Sequence, residues 1–179
     1  MKLKSKVRLF SLFVSLPLSL IFLAMAFSQG RSRRIEAHKD MLTKSIGALD
    51  AAVSLYAQEH HNLFPAAANW EQELQPNTGP IPLELPIMPG GKGRRIAMNR
   101  ALAGRQLETI AKPAQAILFF ESTATTPSAC DDLTSLVPAD DPSPLVFGFA
   151  DGHIEEILPV ANRKEALARS VEACKPSAK

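Results

Sequence analysis

A basic excess is the first thing this sequence lacks. Its formal charge is only +2, and four of its 20 Lys and Arg residues (Lys2, Lys4, Lys6 and Arg8) precede residue 9, which leaves 16 basic against 18 acidic side chains over the rest. A balance of that kind does not suggest a nucleic-acid binder. No Gly-x-Ser-x-Gly nucleophile elbow occurs anywhere in the chain, so the commonest local signature of a serine hydrolase is missing. Cysteine is scarce, with Cys130 and Cys174 alone. Charge is missing altogether from residues 9–30, and Lys and Arg are missing from residues 113–162.

The uncharged run is the strongest signal of what is present. Residues 9–30 are dominated by Leu, Phe, Ala and Ile around Pro17, and a stretch of 22 residues is long enough for a hydrocarbon core that needs roughly 20. Beyond it, apolar residues recur at Ile35, Leu42, Ile46, Leu49, Val53 and Tyr56. Steps of seven, four and three draw one stripe down one side of a helix. The pattern predicts a single long helix with a membrane half and an amphipathic half, the second covered by a body folded from residues 63–179. The expected organisation is a cytoplasmic basic segment (1–8), a transmembrane anchor (9–30), an amphipathic stalk helix (31–62) and one globular head (63–179). Basic residues before the run favour a cytoplasmic N-terminus, while Arg31, Arg33 and Arg34 after it weaken that bias. The implied localisation is the inner membrane, single pass, with the head exported. Cleavage after Ala24-Met25-Ala26, a small-x-small site, is the competing reading. In either case the head reaches an oxidising compartment. Two thiols in a small domain usually pair there, so a Cys130–Cys174 disulfide is expected, with two unpaired buried thiols as its alternative.

Along the head, the stalk helix is expected to end near His60 to Asn62, ahead of Pro65. His60 and His61 are adjacent and do not share a helix face, which argues for solvated helix-end histidines over a metal pair. Residues 66–75 predict a short helix capped by Asn69, with Trp70 and Leu74 inward. Pro76, Pro80, Pro82, Pro86 and Pro89 with Gly90 and Gly91 predict a meandering loop. Arg95 to Asn99 and Gln115 to Glu121 read as strands, the second apolar enough to be central and buried on both faces. Residues 122–144 read as a long loop. Leu145 to Ala150 and His153 to Leu158 flank Asp151-Gly152, which predicts a hairpin with a tight two-residue turn. Asn162 to Cys174 predicts a closing helix, capped by Asn162, with Ala166, Leu167, Val171 and Cys174 on one face. The fold class is α+β: a long N-terminal helix packed on a small antiparallel sheet.

That order of parts resembles type IV pilins and the pseudopilins of type II secretion. The helix end Leu55-Tyr56-Ala57-Gln58-Glu59, followed by Asn62 and Phe64-Pro65, is similar to the stretch where pseudopilins pass from stalk to head. Ala97-Met98-Asn99, Pro113 before Ile117 to Glu121, and Phe149-Ala150-Asp151-Gly152-His153 resemble a bacterial pilin-like family. That family is named for a processing-associated motif of His, nine residues and Asp-Gly, whose turn here is Asp151, Gly152 and His153. Two departures stand out. The prepilin-peptidase signal, a Gly-Phe pair before the apolar run and a Glu inside it, is absent, and the position of the motif's His is Asp141. The resemblance therefore implies the fold more than the processing. It also implies a non-enzymatic structural or assembly role, with the membrane and other pilin-like subunits or self as partners.

Two chemical readings compete with that role. His153 beside Asp151, with Ser128 or Ser143 as nucleophile, has the residue types of a triad, but a triad is defined by geometry. Carboxylates clustered on a loop suit calcium, which makes Asp131, Asp132, Asp140 and Asp141 candidate ligands; their spacing matches no recognised calcium loop, and a solvated acidic face is the alternative. No other cofactor is implied. Six basic side chains among residues 92–112 (Lys92, Arg94, Arg95, Arg100, Arg105 and Lys112) oppose that acidic stretch. The two patches either steer contacts between copies or neutralise each other within one head. The alternative function is a secreted or periplasmic binding or hydrolytic domain with a cleaved signal peptide.

Overall fold

A helical stripe of apolar residues needs a surface to lie on, and a sheet supplies it. The computed structural model describes residues 3–79, 81, 83–85, 93–124, 126, 129–131, 133–136, 145–157 and 160–175, without the side chains of 3–27, 31, 160 and 161. Helix α1 spans Leu3–Glu59, α2 Trp70–Thr78 and α3 Val160–Ala173. The strands are β1 (Glu84–Leu85), β2 (Arg94–Asn99), β3 (Ile117–Ser122), β4 (Cys130–Asp131), β5 (Leu145–Phe149) and β6 (Ile154–Ile157). The chain divides into two units, Met1–Ala37 and His38–Lys179. In the first, the described side chains from Ser28 to Ala37 are exposed except for half-buried Ile35.

One sequence expectation fails at the outset. Among the described residues no helix is long and apolar enough to cross a membrane. The described side chains of α1 between Ser28 and Glu59 include Arg33, Arg34, Glu36, Lys39, Asp40, Lys44 and Asp50. Each such charge at a bilayer centre costs roughly 2.5–3.5 kcal/mol. The transmembrane helix and the single-pass, inner-membrane localisation are corrected accordingly. The side chains of residues 9–27, on which the anchor expectation fell, lie outside the described residues.

In the second unit the strands form one sheet in the order β1-β2-β3-β5-β6, antiparallel throughout, with β4 joining β2 in parallel. Strand β3 is central and all six of its residues are buried, as its unbroken apolar run predicts. The stripe of α1 lies on one face: Leu42, Ile46, Leu49 and Val53 cluster with Ile96, Met98, Phe119 and Val146. Full burial of each such side chain contributes about 1.5–3 kcal/mol. Because side chains alternate across a strand, Ala97, Phe120 and Phe147 face the other way, and an irregularity in β3 between Ile117 and Phe119 turns Ile117 to that side as well. There they meet Ala166 and Leu167 of α3 together with Leu133 and Leu136.

The connections explain where the elements stop. Helix α1 ends through His60 N–H to the Tyr56 carbonyl (3.0 Å) and Asn62 N–H to the Ala57 carbonyl (2.7 Å), with His61 and Asn62 both left-handed at φ 58° and 59°. Glu73 Oε2 then accepts from the Tyr56 hydroxyl (3.0 Å) and the Ala66 N–H (2.9 Å), which ties α2 to the end of α1. Trp70 and Leu74 are buried as expected. Asn69 stands at the N-cap without a side-chain cap bond, and the helix continues through Pro76 to Thr78. The hairpin also differs from expectation. Phe149 N–H donates to the His153 carbonyl and Gly152 N–H to the Phe149 carbonyl, with Gly152 at φ 86°. Ala150, Asp151 and Gly152 thus form a three-residue loop, a geometry in which only its last residue needs the left-handed region. Helix α3 begins two residues before Asn162, which is therefore inside the first turn and not a cap.

Candidate functional site

The buried face of α1 carries three polar side chains among its apolar stripe, His38, Ser45 and Asp50, and the first and the last meet the sheet. His38, four residues before Leu42, places Nε2 3.0 Å from Oε1 of Glu121 on β3. Arg94 of β2 donates from its guanidinium to the same oxygen, also at 3.0 Å. Glu121 is fully buried, and His38 and Arg94 nearly so. Strand pairing positions the pair, because Ile96 lies opposite Glu121 and Arg94 is two residues from Ile96, on the same face. His38 Nδ1 and Glu121 Oε2 have no hydrogen-bond partner, so one carboxylate oxygen serves an imidazole and a guanidinium together.

Three turns along, Asp50 lies between the stripe residues Ile46 and Val53, and neither of its carboxylate oxygens has a hydrogen-bond partner. It rests on β5 at Gly148, where an added Cβ would come within 2.9 Å of both oxygens. Burial and then the neighbouring Asp151 carboxylate push the Asp50 carboxyl up to about 8, since both disfavour its charged form. Neither His38 nor Asp50 was singled out in the sequence. The signal was available all the same: a polar residue at i+4 from a stripe residue shares its face, and His38 and Asp50 both do.

The residues that the sequence did single out are dispersed. Asp131 Oδ1 accepts from the Thr134 backbone N–H (3.0 Å) and hydroxyl (2.6 Å). Burial alone raises its carboxyl, but the bonds from Thr134 and Ser135 outweigh that and hold it below the usual range. Asp132, Asp140 and Asp141 lie outside the described residues, as do Ser128 and Ser143. Among the described residues no three His, Cys, Asp or Glu side chains come together in a way that could hold a metal ion. His153 Nδ1 is 2.5 Å from Asp151 Oδ1, and its ring stacks on Phe149 at 4.3 Å, on an exposed loop.

The expected disulfide is also corrected: Cys130 and Cys174 are not joined. Cys130 is fixed by the β4–β2 ladder beside Met98. Cys174 follows α3, and its Sγ accepts from Asn99 Nδ2 at 3.7 Å, while the same amide nitrogen donates to the Ile117 carbonyl at 2.7 Å. Each sulfur is therefore set by its own element, and burial raises the Cys174 thiol.

Among the described residues, much of the opposing charge is paired inside the head. Arg94 pairs with Glu121, and Arg95 pairs with Glu71 at 2.7 Å and Glu84 at 3.3 Å. Arg100 donates to the Cys130 carbonyl, and Arg105 to the carbonyls of Cys174 and Thr109. On the acidic side Glu156 pairs with Lys39 at 3.3 Å. Between α1, α2 and the described residues Gly79, Ile81 and Leu83 lies a cleft of about 280 Å³, lined also by Leu49, Trp70, Glu71 and Leu74. No protein-family model matches the chain, and neither a characterised protein nor a solved structure matches it.

Proposed function

We propose that the chain is a pilin-like, non-enzymatic structural or assembly subunit of the bacterial cell envelope, related to secretion or pilus systems. The observation that carries this reading is the use of α1 as the core of the head. One long helix lies across an antiparallel sheet and buries Leu42, Ile46, Leu49 and Val53 there, in the element order of the pilin resemblance. Two further features fit. The Asp151-Gly152-His153 turn connects two sheet strands and holds His153 against Phe149, a structural use of the motif. The charged side chains that would otherwise form a reactive cluster are paired across strands and helices as scaffold. Its partners on this reading are further pilin-like subunits or copies of itself.

Sedimentation velocity of the full chain over roughly two decades of concentration tests the proposal, with negative-stain microscopy of the same samples. Self-association, or co-assembly with a second pilin-like protein, into regular oligomers or short filaments is the expected outcome. A monomer at every concentration that turns over an ester or peptide substrate would replace this reading with the hydrolytic one.

A further inference from the structure

Asp50 is buried on the sheet side of α1 with both oxygens unpartnered. A buried polar group left unmade costs its full desolvation, so each one in a native fold calls for an explanation. Its seat is made by a missing side chain. At Gly148 a Cβ would come within 2.7 Å of Ile46 Cγ2 and 2.9 Å of both Asp50 oxygens. The Ser54 hydroxyl bonds the Asp50 backbone carbonyl and leaves the carboxyl alone.

The elements packed against this seat contribute few charges. Strand β5 brings Gly148, which does not titrate. The loop after it brings Asp151, whose Oδ1 is held by His153 at 2.5 Å. Strand β6 brings Ile154 opposite Gly148 and Glu156 opposite Val146, and Glu156 is bonded to Lys39 of α1. The charge that bears on Asp50 is thus the like charge of Asp151.

We propose that Asp50 is a proton-operated latch between α1 and the β5–β6 hairpin: the neutral carboxyl stays seated on Gly148, and the carboxylate, beside Asp151, drives the hairpin off the helix. The inference goes beyond the structural reading above and does not depend on it. With the hairpin closed the carboxyl holds its proton up to about 8, and with it open the carboxyl returns toward its ordinary 3.8. Between those values the closed form keeps a proton that the open form has released. Opening therefore gains about tenfold for each unit that pH rises and levels off once the closed form ionises too. Acidification tightens the latch.

Amide hydrogen exchange of the full-length chain, corrected for the intrinsic effect of pH, reads the latch directly. Protection of the Ala150 amide, which donates to the Ala116 carbonyl, and of the amides across the β3–β5 ladder is expected to fall by about tenfold per unit between roughly pH 5 and 8 and then level, while protection of the Ile96 and Met98 amides, bonded to the Leu83 and Ala129 carbonyls, holds. Asp50→Asn should abolish the dependence, and Asp151→Asn should bring the levelling to lower pH. Protection that ignores pH in the wild type, or that falls equally in Asp50→Asn, overturns the proposal. If Asp50→Asn does not fold, the carbon-13 titration of the Asp50 carboxyl in the wild type decides: a midpoint above neutrality supports the latch, and one near the ordinary carboxylate value overturns it.

Discussion

At the scale of single residues, the unusual feature is how much ionisable chemistry lies beneath α1. Glu121 has no access to water, and its charge is balanced by Arg94, with His38 on the same oxygen. Removing one partner of a buried pair strands the other, which typically costs about 3–5 kcal/mol. Glu121→Gln keeps the shape and removes the charge, so it should lower unfolding free energy in urea by several kcal/mol at neutral pH; a change under about 1 kcal/mol would mean that Arg94 is held by water or by another group once the Glu121 charge is gone. Gly148→Ala tests the other seat. Its methyl group meets the β-branched Ile46 and the Asp50 carboxyl, and overpacking of this kind costs about 1–3 kcal/mol. Gly148→Ala in the Asp50→Ala background should cost less, because half of the obstruction is gone.

At the scale of elements, periodicity carried the sequence reading as far as it could go. The α1 stripe, the central strand β3 and the paired β5 and β6 were all legible, since apolar spacing of three and four or an unbroken apolar run states which face is buried. Helix α3 shows where that reasoning stops. Val171 was placed inward and is among the most exposed apolar residues, while the buried positions are Arg163, Ala166, Ser170 and Ala173. The stripe is one of small and polar side chains, which hydropathy does not mark. Ser170 is inward because its hydroxyl accepts from the Ile117 N–H at 2.9 Å, at the first residue of β3. The candidate site was harder still to read, because His38, Glu121 and Arg94 are brought together from three elements up to 83 residues apart. Ser170→Ala leaves the Ile117 N–H buried and unbonded, so it should cost about 1–3 kcal/mol. Val171→Ala should stay within about 0.5 kcal/mol, and equal losses at both would return the helix to the expected face. On α1, Leu49→Ala should cost about 2–5 kcal/mol with a melting temperature that does not climb with concentration, as befits a core position and not a seam between helices.

At the scale of the whole molecule, the buried Asp50 gives the fold a pH dependence opposite to that of a salt-bridged protein. Below its unfolded value of 3.8 the Asp50 carboxyl is protonated in both states and has no effect on stability. Between 3.8 and about 8 the folded chain holds a proton that the unfolded chain has lost, so stability falls as pH rises, by at most about 1.4 kcal/mol per unit. Above about 8 the penalty is complete and constant. Asp131 works in the other direction and in another window: its lowered carboxyl stabilises the fold above the unfolded value, and that contribution is lost as pH falls through the acid range. The two windows barely overlap, so stability should peak in mildly acid solution and decline toward neutrality. Urea unfolding of the wild type and of Asp50→Asn at closely spaced pH values separates the contributions. Near pH 4 the two proteins should differ little, and by pH 8 the Asn variant should be the more stable by a few kcal/mol, on the order of 5 at most, because its amide has no proton to lose. Two curves that run parallel across the whole range would show that the Asp50 carboxylate is solvated in the folded chain and that Gly148 leaves room for water.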